Sequence, residues 1–213
     1  MRRWLVAVLT LTAMAANAAE YPPNEQPLYG GIAKPPAMIE ADQHFIDDVL
    51  KMGLSRAQGS DKAVETGWTY LRQGDLADAM KRFNQAWLLD PDNGDAFHGF
   101  AVAVLERDRD TAKAEAYFKT GEEKRHMPGI YSDYGRLLLL EKRYLEAVLQ
   151  LEKAVSFSDM GPDARALWAG AYAGEGNLAA ACRTVHEITG GLQPAYQKAT
   201  DALKATCVRN RGD

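Results

Sequence analysis

The sequence offers few of the residue patterns from which enzymes build active sites. Its histidines lie far apart, so no two have the spacing that puts a pair of metal ligands on one helix face. No glycine-rich phosphate-binding loop is present, and the acidic residues at positions 40, 42, 47 and 48 form a polar helix face. The four histidines are His44, His98, His126 and His186. We therefore expect a non-catalytic protein with no metal and no cofactor.

Positive charge is also in short supply. The chain has 25 Lys and Arg against 29 Asp and Glu, a formal net charge of −4. Loss of residues 1–18, which include Arg2 and Arg3, would leave 23 basic against 29 acidic residues and a charge of −6. Nucleic-acid binding needs positive charge to meet the phosphates. We therefore exclude nucleic acid as a partner.

Long apolar runs are missing after residue 20, so no segment there is expected to span a bilayer. The first 18 residues differ, because Arg2 and Arg3 precede an apolar run at 4–11 that small residues extend to 16. In Ala16-Asn17-Ala18, the two alanines are small residues at the two positions that signal peptidase recognises. This layout predicts a secretory signal peptide at 1–18 and an exported mature protein in the periplasm. The alternative is an uncleaved membrane anchor; a lipoprotein anchor is disfavoured because no cysteine follows the run.

Only two cysteines occur, Cys182 and Cys207. In an oxidising compartment an even pair usually forms a disulfide. Both lie in predicted consecutive helices that would run antiparallel, and closing this loop would stabilise the fold by roughly 3 to 4 kcal/mol. The alternative is two buried free thiols.

Prolines are concentrated in residues 19–37, which hold five of the nine. Such a stretch is expected to be extended and poorly packed, as a tether or an arm laid over the surface. Leu28-Tyr29 would then have a binding role, or the whole stretch would be a plain linker. Residues 38–58 are predicted to form a helix with one apolar stripe, which would cap the next part of the chain.

The most informative stretch is residues 63–91, where two short helical patterns meet at Gly74-Asp75. Small residues fall where two helices would cross, large ones fall where a gap needs filling, and Pro91 ends the second helix. The positions that carry this pattern are Gly67, Tyr70, Ala79, Phe83, Ala86 and Pro91. They resemble the signature of one tetratricopeptide repeat, a helix-turn-helix unit of 34 residues.

Weaker copies follow within residues 59–189. Their second helices repeat the spacing of Ala79, Phe83 and Ala86 at three sets of positions. These are Ala114, Phe118 and Gly121; Ala147, Leu151 and Ala154; and Ala181, Val185 and Ile188. Residues 190–213 are predicted to add a capping helix and a polar tail. The resemblance thus implies an all-α, right-handed α-solenoid of about four repeats with a capping helix at each end.

The resemblance also implies that the first helix of each repeat lines a concave wall. The candidate partner-binding residues on that wall are Trp68, Leu71, Arg72, His98, Val102, Leu105, Arg136 and Leu139. The last repeat offers only a nearly featureless wall of Ala166, Gly170 and Ala173. Trp68 is the expected anchor, because Trp and Arg dominate interface energies, although it would alternatively pack against the helix before the repeats. Arg72 and Arg136 would hold an acidic group or remain solvated.

Some members of this family grip a peptide's terminal carboxylate with lysines and asparagines on the concave wall. The corresponding positions here hold Val64, Trp68, His98, Ser132 and Arg136, so that clamp is absent. We expect a module that binds a protein or peptide as an adaptor in envelope assembly or secretion. The alternatives are an immunity protein against an exported toxin and a structural, oligomerising subunit. The sequence does not fix the oligomeric state.

Overall fold

The computed structural model describes residues 21–157 and 161–210. The predicted signal peptide, residues 1–18, lies outside this part of the chain. Ten α-helices occur in the described residues. They are α1 (Pro36–Lys51), α2 (Arg56–Arg72), α3 (Leu76–Leu89), α4 (Gly94–Asp108), α5 (Thr111–Glu122), α6 (Gly129–Leu140), α7 (Tyr144–Val155), α8 (Pro162–Glu175), α9 (Leu178–His186) and α10 (Pro194–Arg209).

The helices pair in sequence order, α2 with α3, α4 with α5, α6 with α7 and α8 with α9. Each pair is one helix-turn-helix repeat, and α1 and α10 lie at the two ends of the row. No strand is present in 21–157 or 161–210 beyond a single isolated bridge. The prediction of an all-α stack of four repeats with a helix at each end is confirmed.

Each repeat turns at one residue with left-handed backbone geometry. The four are Gly74, Arg109, Lys142 and Gly176, with φ of 79°, 56°, 59° and 91°. This geometry ends a helix by satisfying its last carbonyls. Asp75, Asp110 and Asn177 then cap the following helices, each accepting a hydrogen bond from the backbone N–H three residues on. Glycine was the visible signal in the first and fourth turns, whereas arginine and lysine take its place in the second and third.

The core of the first two repeats is organised around Phe83 of α3, which is fully buried. Its ring lies against two glycines on the first helices on either side. An added Cβ would approach the ring to 2.6 Å at Gly67 of α2 and to 2.3 Å at Gly99 of α4. The absent side chains therefore make room for the ring. The sequence pattern singled out Gly67 as a place of close approach, and the atoms nearest to it belong to Phe83.

The boundary between the N-terminal cap and the first repeat differs from the prediction. The capping helix was expected to span 38–58, but α1 ends at Lys51 and α2 begins at Arg56. Gly53, with φ of 77°, lies in the break. Ser55 then starts α2 through a capping box, in which its hydroxyl and the Gln58 side chain each bind the other's backbone N–H.

The proline-rich segment is packed rather than loosely extended. Residues 21–34, the arm below, contain two 3₁₀ turns, Pro23–Glu25 and Pro27–Gly31, and they lie against α3. Pro27 and Tyr29 are buried. Of the two expectations, an arm laid over the surface describes these residues; the expected poor packing is wrong, because Asn84 of α3 supplies hydrogen bonds that composition alone does not reveal.

At the other end, α10 packs against α8 and α9. Cys182 of α9 and Cys207 of α10 form a disulfide that joins the last repeat to its cap. The prediction of a disulfide is confirmed. Across the described ranges, no helix combines the length and the apolarity that crossing a bilayer requires.

Repeats two and three are joined by an ion-pair network around Glu115 of α5. Arg143 donates to both carboxylate oxygens of Glu115, at 2.7 and 2.9 Å, and the Tyr134 hydroxyl donates at 2.8 Å. The hydrogen bonds from Arg143 lower the pKa of Glu115 to about 2, although burial acts in the opposite direction. Arg143 is also the residue that precedes α7, so the network ties the start of this helix to α5.

Removing the Glu115 charge should change the acid response of the fold. Because the folded-state pKa lies below the ordinary value of 4.5, the stabilisation is complete at neutral pH. It is lost as the pH falls from about 4.5 toward about 2. We expect Glu115→Gln to lower the free energy of unfolding at neutral pH and to remove this part of the acid sensitivity. Denaturant unfolding across this range measures it, with exposed Glu152→Gln as control. An unchanged pH dependence in Glu115→Gln would contradict the assignment.

Candidate functional site

The inner face of the stack is identified by which helices touch. The first helices of successive repeats contact one another, α2 with α4, α4 with α6 and α6 with α8. The second helices of successive repeats make no comparable contacts. The row therefore curves with the first helices on its concave side, where the candidate residues were predicted to lie.

A chain of side chains crosses this wall from α2 to α6. The Trp68 ring lies 4.7 Å from the His98 imidazole and 5.6 Å from the Phe83 ring, measured between centroids. His98 Nε2 is 2.9 Å from the Asp133 carboxylate, and Arg136 lies 3.2 Å from the same group. Burial acts to raise the pKa of Asp133, but its bonds to His98 and Arg136 outweigh burial and lower the pKa. The wall is thus tied together across three repeats.

Three of the predicted contact residues are inside the wall rather than on it. His98, Val102 and Leu105 are 6%, 2% and 7% exposed. Their α4 positions face the neighbouring first helices, which lie close enough to cover them. Little of these side chains is therefore accessible to a partner, and they support the wall; Leu105 also lines an open hollow of this face. Trp68 is half-buried and packs against Phe83 of α3 and His98 of α4, so part of its ring remains accessible and its role as an anchor stays a prediction.

The remaining predicted residues reach the surface. Arg72 is exposed, and its guanidinium donates to the Thr69 hydroxyl at 3.1 Å. Leu71, Arg136 and Leu139 are half-buried. These four keep accessible atoms on the concave side.

Two hollows lie along this face. The larger, about 450 Å³, is open and mixed in character, and is lined by Leu76, Leu105, Leu140, Glu106, Arg109 and Arg136, among others. The smaller, about 190 Å³, is almost wholly apolar and lies between α6, α8 and α10. We call the smaller one the chamber. Its lining is Leu139, Ala166, Leu167, Gly170, Tyr196, Ala199, Thr200 and Leu203.

The chamber exists because α8 carries small residues where it faces the concave side. A Cβ added to Gly170 would meet no heavy atom within 4 Å, so the space beside this glycine is open. The stretch that looked featureless in sequence is the wall of a hollow. The sequence of α8 alone does not show that its small residues leave a hollow, because α6 and α10 form the other walls.

Sequence reasoning missed the contribution of α10. This helix was assigned only to shielding the last repeat, yet Tyr196, Ala199 and Leu203 line the chamber. Their spacing puts them on one helix face, which was the available signal. Burial raises the pKa of the Tyr196 hydroxyl; Arg136 acts to lower it, while Asp133 and Asp163 act to raise it. The chamber therefore lies beside the His98–Asp133–Arg136 cluster.

No group of three or more His, Cys, Asp or Glu within residues 21–157 and 161–210 could hold a metal ion. The concave face offers an apolar chamber and a larger, mixed hollow that Arg109 and Arg136 help to line. Such a surface can bury an apolar side chain of another molecule and pair with an acidic one.

No protein-family model matches the chain, and no curated protein matches it in sequence. Solved structures do match in fold. One from the functional characterization of Pseudomonas aeruginosa PilF has a TM-score of 0.57 and 21% identity. The match covers 63% of this chain but only 61% of the PilF chain.

Two further structures match at a TM-score of 0.50. YrrB, described as a TPR protein with an unusual peptide-binding site, is 18% identical, with 58% of this chain and 64% of its own covered. MamA from Desulfovibrio magneticus RS-1 is 19% identical, with 60% of this chain and 72% of its own covered. These identities are too low to carry a function, but the helical arrangement is shared. The chain has the fold of the tetratricopeptide-repeat proteins.

Proposed function

We propose that this protein is a non-catalytic interaction module that holds a segment of a protein or peptide on its concave face. The observation that carries the proposal is the chamber, an apolar hollow on the inner wall with open space beside Gly170. A well-packed pocket that accepts one apolar anchor is the usual centre of an interaction surface. YrrB shares the fold and is described as having a peptide-binding site.

The charged rim supports a particular ligand chemistry. Arg136 acts on the Tyr196 hydroxyl of the chamber lining, and Arg109 and Arg136 both line the larger hollow. We propose a ligand with one large apolar residue near an acidic one. The acidic surplus of the whole chain acts against a strongly acidic ligand, so the expected ligand has only local negative charge.

We place the protein in the periplasm and assign it an adaptor role in envelope assembly or secretion. The disulfide between Cys182 and Cys207 supports export, since such bonds persist in oxidising compartments. The predicted signal peptide is the second support.

Filling the chamber tests the proposal. Gly170→Leu adds a side chain into open space, and glycine is a poor residue in a helix interior, so the fold should be retained. Peptides selected on the natural chain from a displayed random library are expected to bind Gly170→Leu at least about tenfold more weakly, or about 1.4 kcal/mol. The control is Ala116→Leu, an exposed position on α5. Equal affinities for the natural chain and Gly170→Leu would overturn the chamber as the binding site.

A further inference from the structure

A second recognition surface lies on α3 and is separate from the concave face. Its centre is Asn84, a side chain with no exposed surface in the middle of a helix. The Asn84 amide nitrogen donates to the carbonyls of Asn24 and Gln26, at 3.0 and 2.8 Å. Its oxygen accepts from the Tyr29 N–H at 3.3 Å. One side-chain amide therefore forms hydrogen bonds with three main-chain groups of a segment about 60 residues away.

Side chains complete this surface around the Tyr29 ring. The ring is buried, with its centroid 6.4 Å from that of Trp87. The Lys34 ammonium lies 3.5 Å above the ring centre and pairs with Asp42 of α1. A buried aromatic with a cation over its face is a specific contact, beyond the burial of apolar area.

The beginning of the arm is held by two cations. Arg107 of α4 donates to the Glu25 carbonyl at 2.7 Å, and its guanidinium lies 3.7 Å from the centre of the Tyr21 ring. Lys81 of α3 pairs with the Glu25 carboxylate at 3.2 Å. We call the surface formed by Lys81, Asn84, Trp87 and Arg107 the slot. It recognises backbone, aromatic and acidic groups of the arm, as a peptide-binding site does.

The chain leaves the slot through a strained turn. Leu28 and Tyr29 both have φ of 56°, and Gly30 and Gly31 follow with φ of 71° and 67°. Left-handed geometry is ordinary for glycine but strained for other residues. Exposed Ile32 and Ala33 then lead to α1. Binding in the slot therefore requires this backbone geometry of any arm, and the glycine pair that follows provides a hinge.

We propose that the slot is a binding site for the arm as a ligand, filled in this structure by the chain's own arm and filled by the arm of a second copy when its own arm is released. The structure shows the fit of this segment directly, and a second copy presents an identical one. Exchange of identical elements is a low-cost route to a dimer. The covalent link gives the chain's own arm an effective concentration of about millimolar, so the natural chain is mainly closed on itself.

Two complementary variants separate the ligand from its site. Tyr29→Pro disables the arm, because proline lacks the N–H that bonds to Asn84 and cannot adopt φ of 56°. Asn84→Leu disables the slot, because leucine has a similar shape and no hydrogen-bonding groups. The first variant keeps an open slot, and the second keeps a free natural arm.

The test is sedimentation of each variant alone and of an equimolar mixture, using the chain without residues 1–18. We expect monomers from either variant alone and a species of twice the monomer mass in the mixture. Two monomers in a mixture at hundreds of micromolar would overturn the proposal.

A labelled peptide of residues 21–34 provides the second measurement, should Asn84→Leu fail to fold. It is expected to bind the Tyr29→Pro chain saturably, and a peptide carrying the same Tyr29→Pro change is expected not to bind. Absence of binding by the natural peptide to a folded Tyr29→Pro chain would also overturn the proposal. Since the slot and the chamber share no residue, neither result bears on the concave face.

Discussion

Replacing Phe83 by alanine is expected to lower the free energy of unfolding by about 3 to 5 kcal/mol, the usual effect of deleting a buried phenylalanine. The Phe83 side chain has no exposed surface and lies between Gly67 and Gly99. Neither glycine has a side chain that could move into the space left behind. The cavity would therefore persist between α2, α3 and α4.

Denaturant unfolding followed by circular dichroism measures this loss. A matched control is Phe157→Ala, because Phe157 is 42% exposed and its removal leaves no enclosed cavity. The control is expected to change stability by less than about 1 kcal/mol. If Phe83→Ala were no more damaging than Phe157→Ala, the interlocking of neighbouring repeats through this ring would be refuted.

Removing the disulfide is expected to have the second largest effect. The two cysteines are 25 positions apart, and the chain-entropy model gives about 3 to 4 kcal/mol for a loop of this size. We therefore expect the double variant Cys182→Ser, Cys207→Ser to release α10 from the last repeat at lower denaturant concentration. Since α10 lines the chamber, ligand binding on the concave face should weaken as well.

Reductant supplies the control for this prediction. It should shift the unfolding of the natural chain toward that of the double variant and leave the double variant unchanged. Identical unfolding of the natural chain with and without reductant would show that the bond contributes nothing to the attachment of α10.

The repeat frame was predictable because it rests on local steric requirements. Small residues at Gly67, Ala79 and Ala86, with a ring at Phe83, specify how two helices pack whatever their surroundings. The same spacing recurs in three more copies, so the number of repeats followed from the sequence. The boundary between α1 and α2 was less clear, because the apolar stripe of α1 continued past the break at Gly53 to Leu54.

The arm was not predictable from its prolines. Proline content describes how stiff a free segment is. It does not show that Asn84, 60 residues farther along the chain, forms hydrogen bonds with this segment. The signal was on α3, where Asn84 occupies a helix interior that asparagine does not favour. Its buried amide needed hydrogen-bond partners, and the arm supplies them.

The concave face was predicted in outline but not in detail. Exposure there depends on the distance between successive first helices, which no single repeat specifies. His98 and Val102 are covered because α4 has close neighbours on both sides. The chamber required three helices to be placed together, so Tyr196 and Gly170 acquired their significance only in the folded chain.

We propose that partners bind on the concave side, at the chamber. Site-specific photo-crosslinking in the producing cell tests it most directly, with the crosslinking residue placed at Ala199 of α10 or at Leu149 of α7. Both positions are exposed, and only Ala199 lines the chamber. We expect partner adducts from Ala199 that disappear in Gly170→Leu, and none from Leu149. Adducts from Leu149 alone, or adducts at Ala199 that persist with the chamber filled, would contradict it.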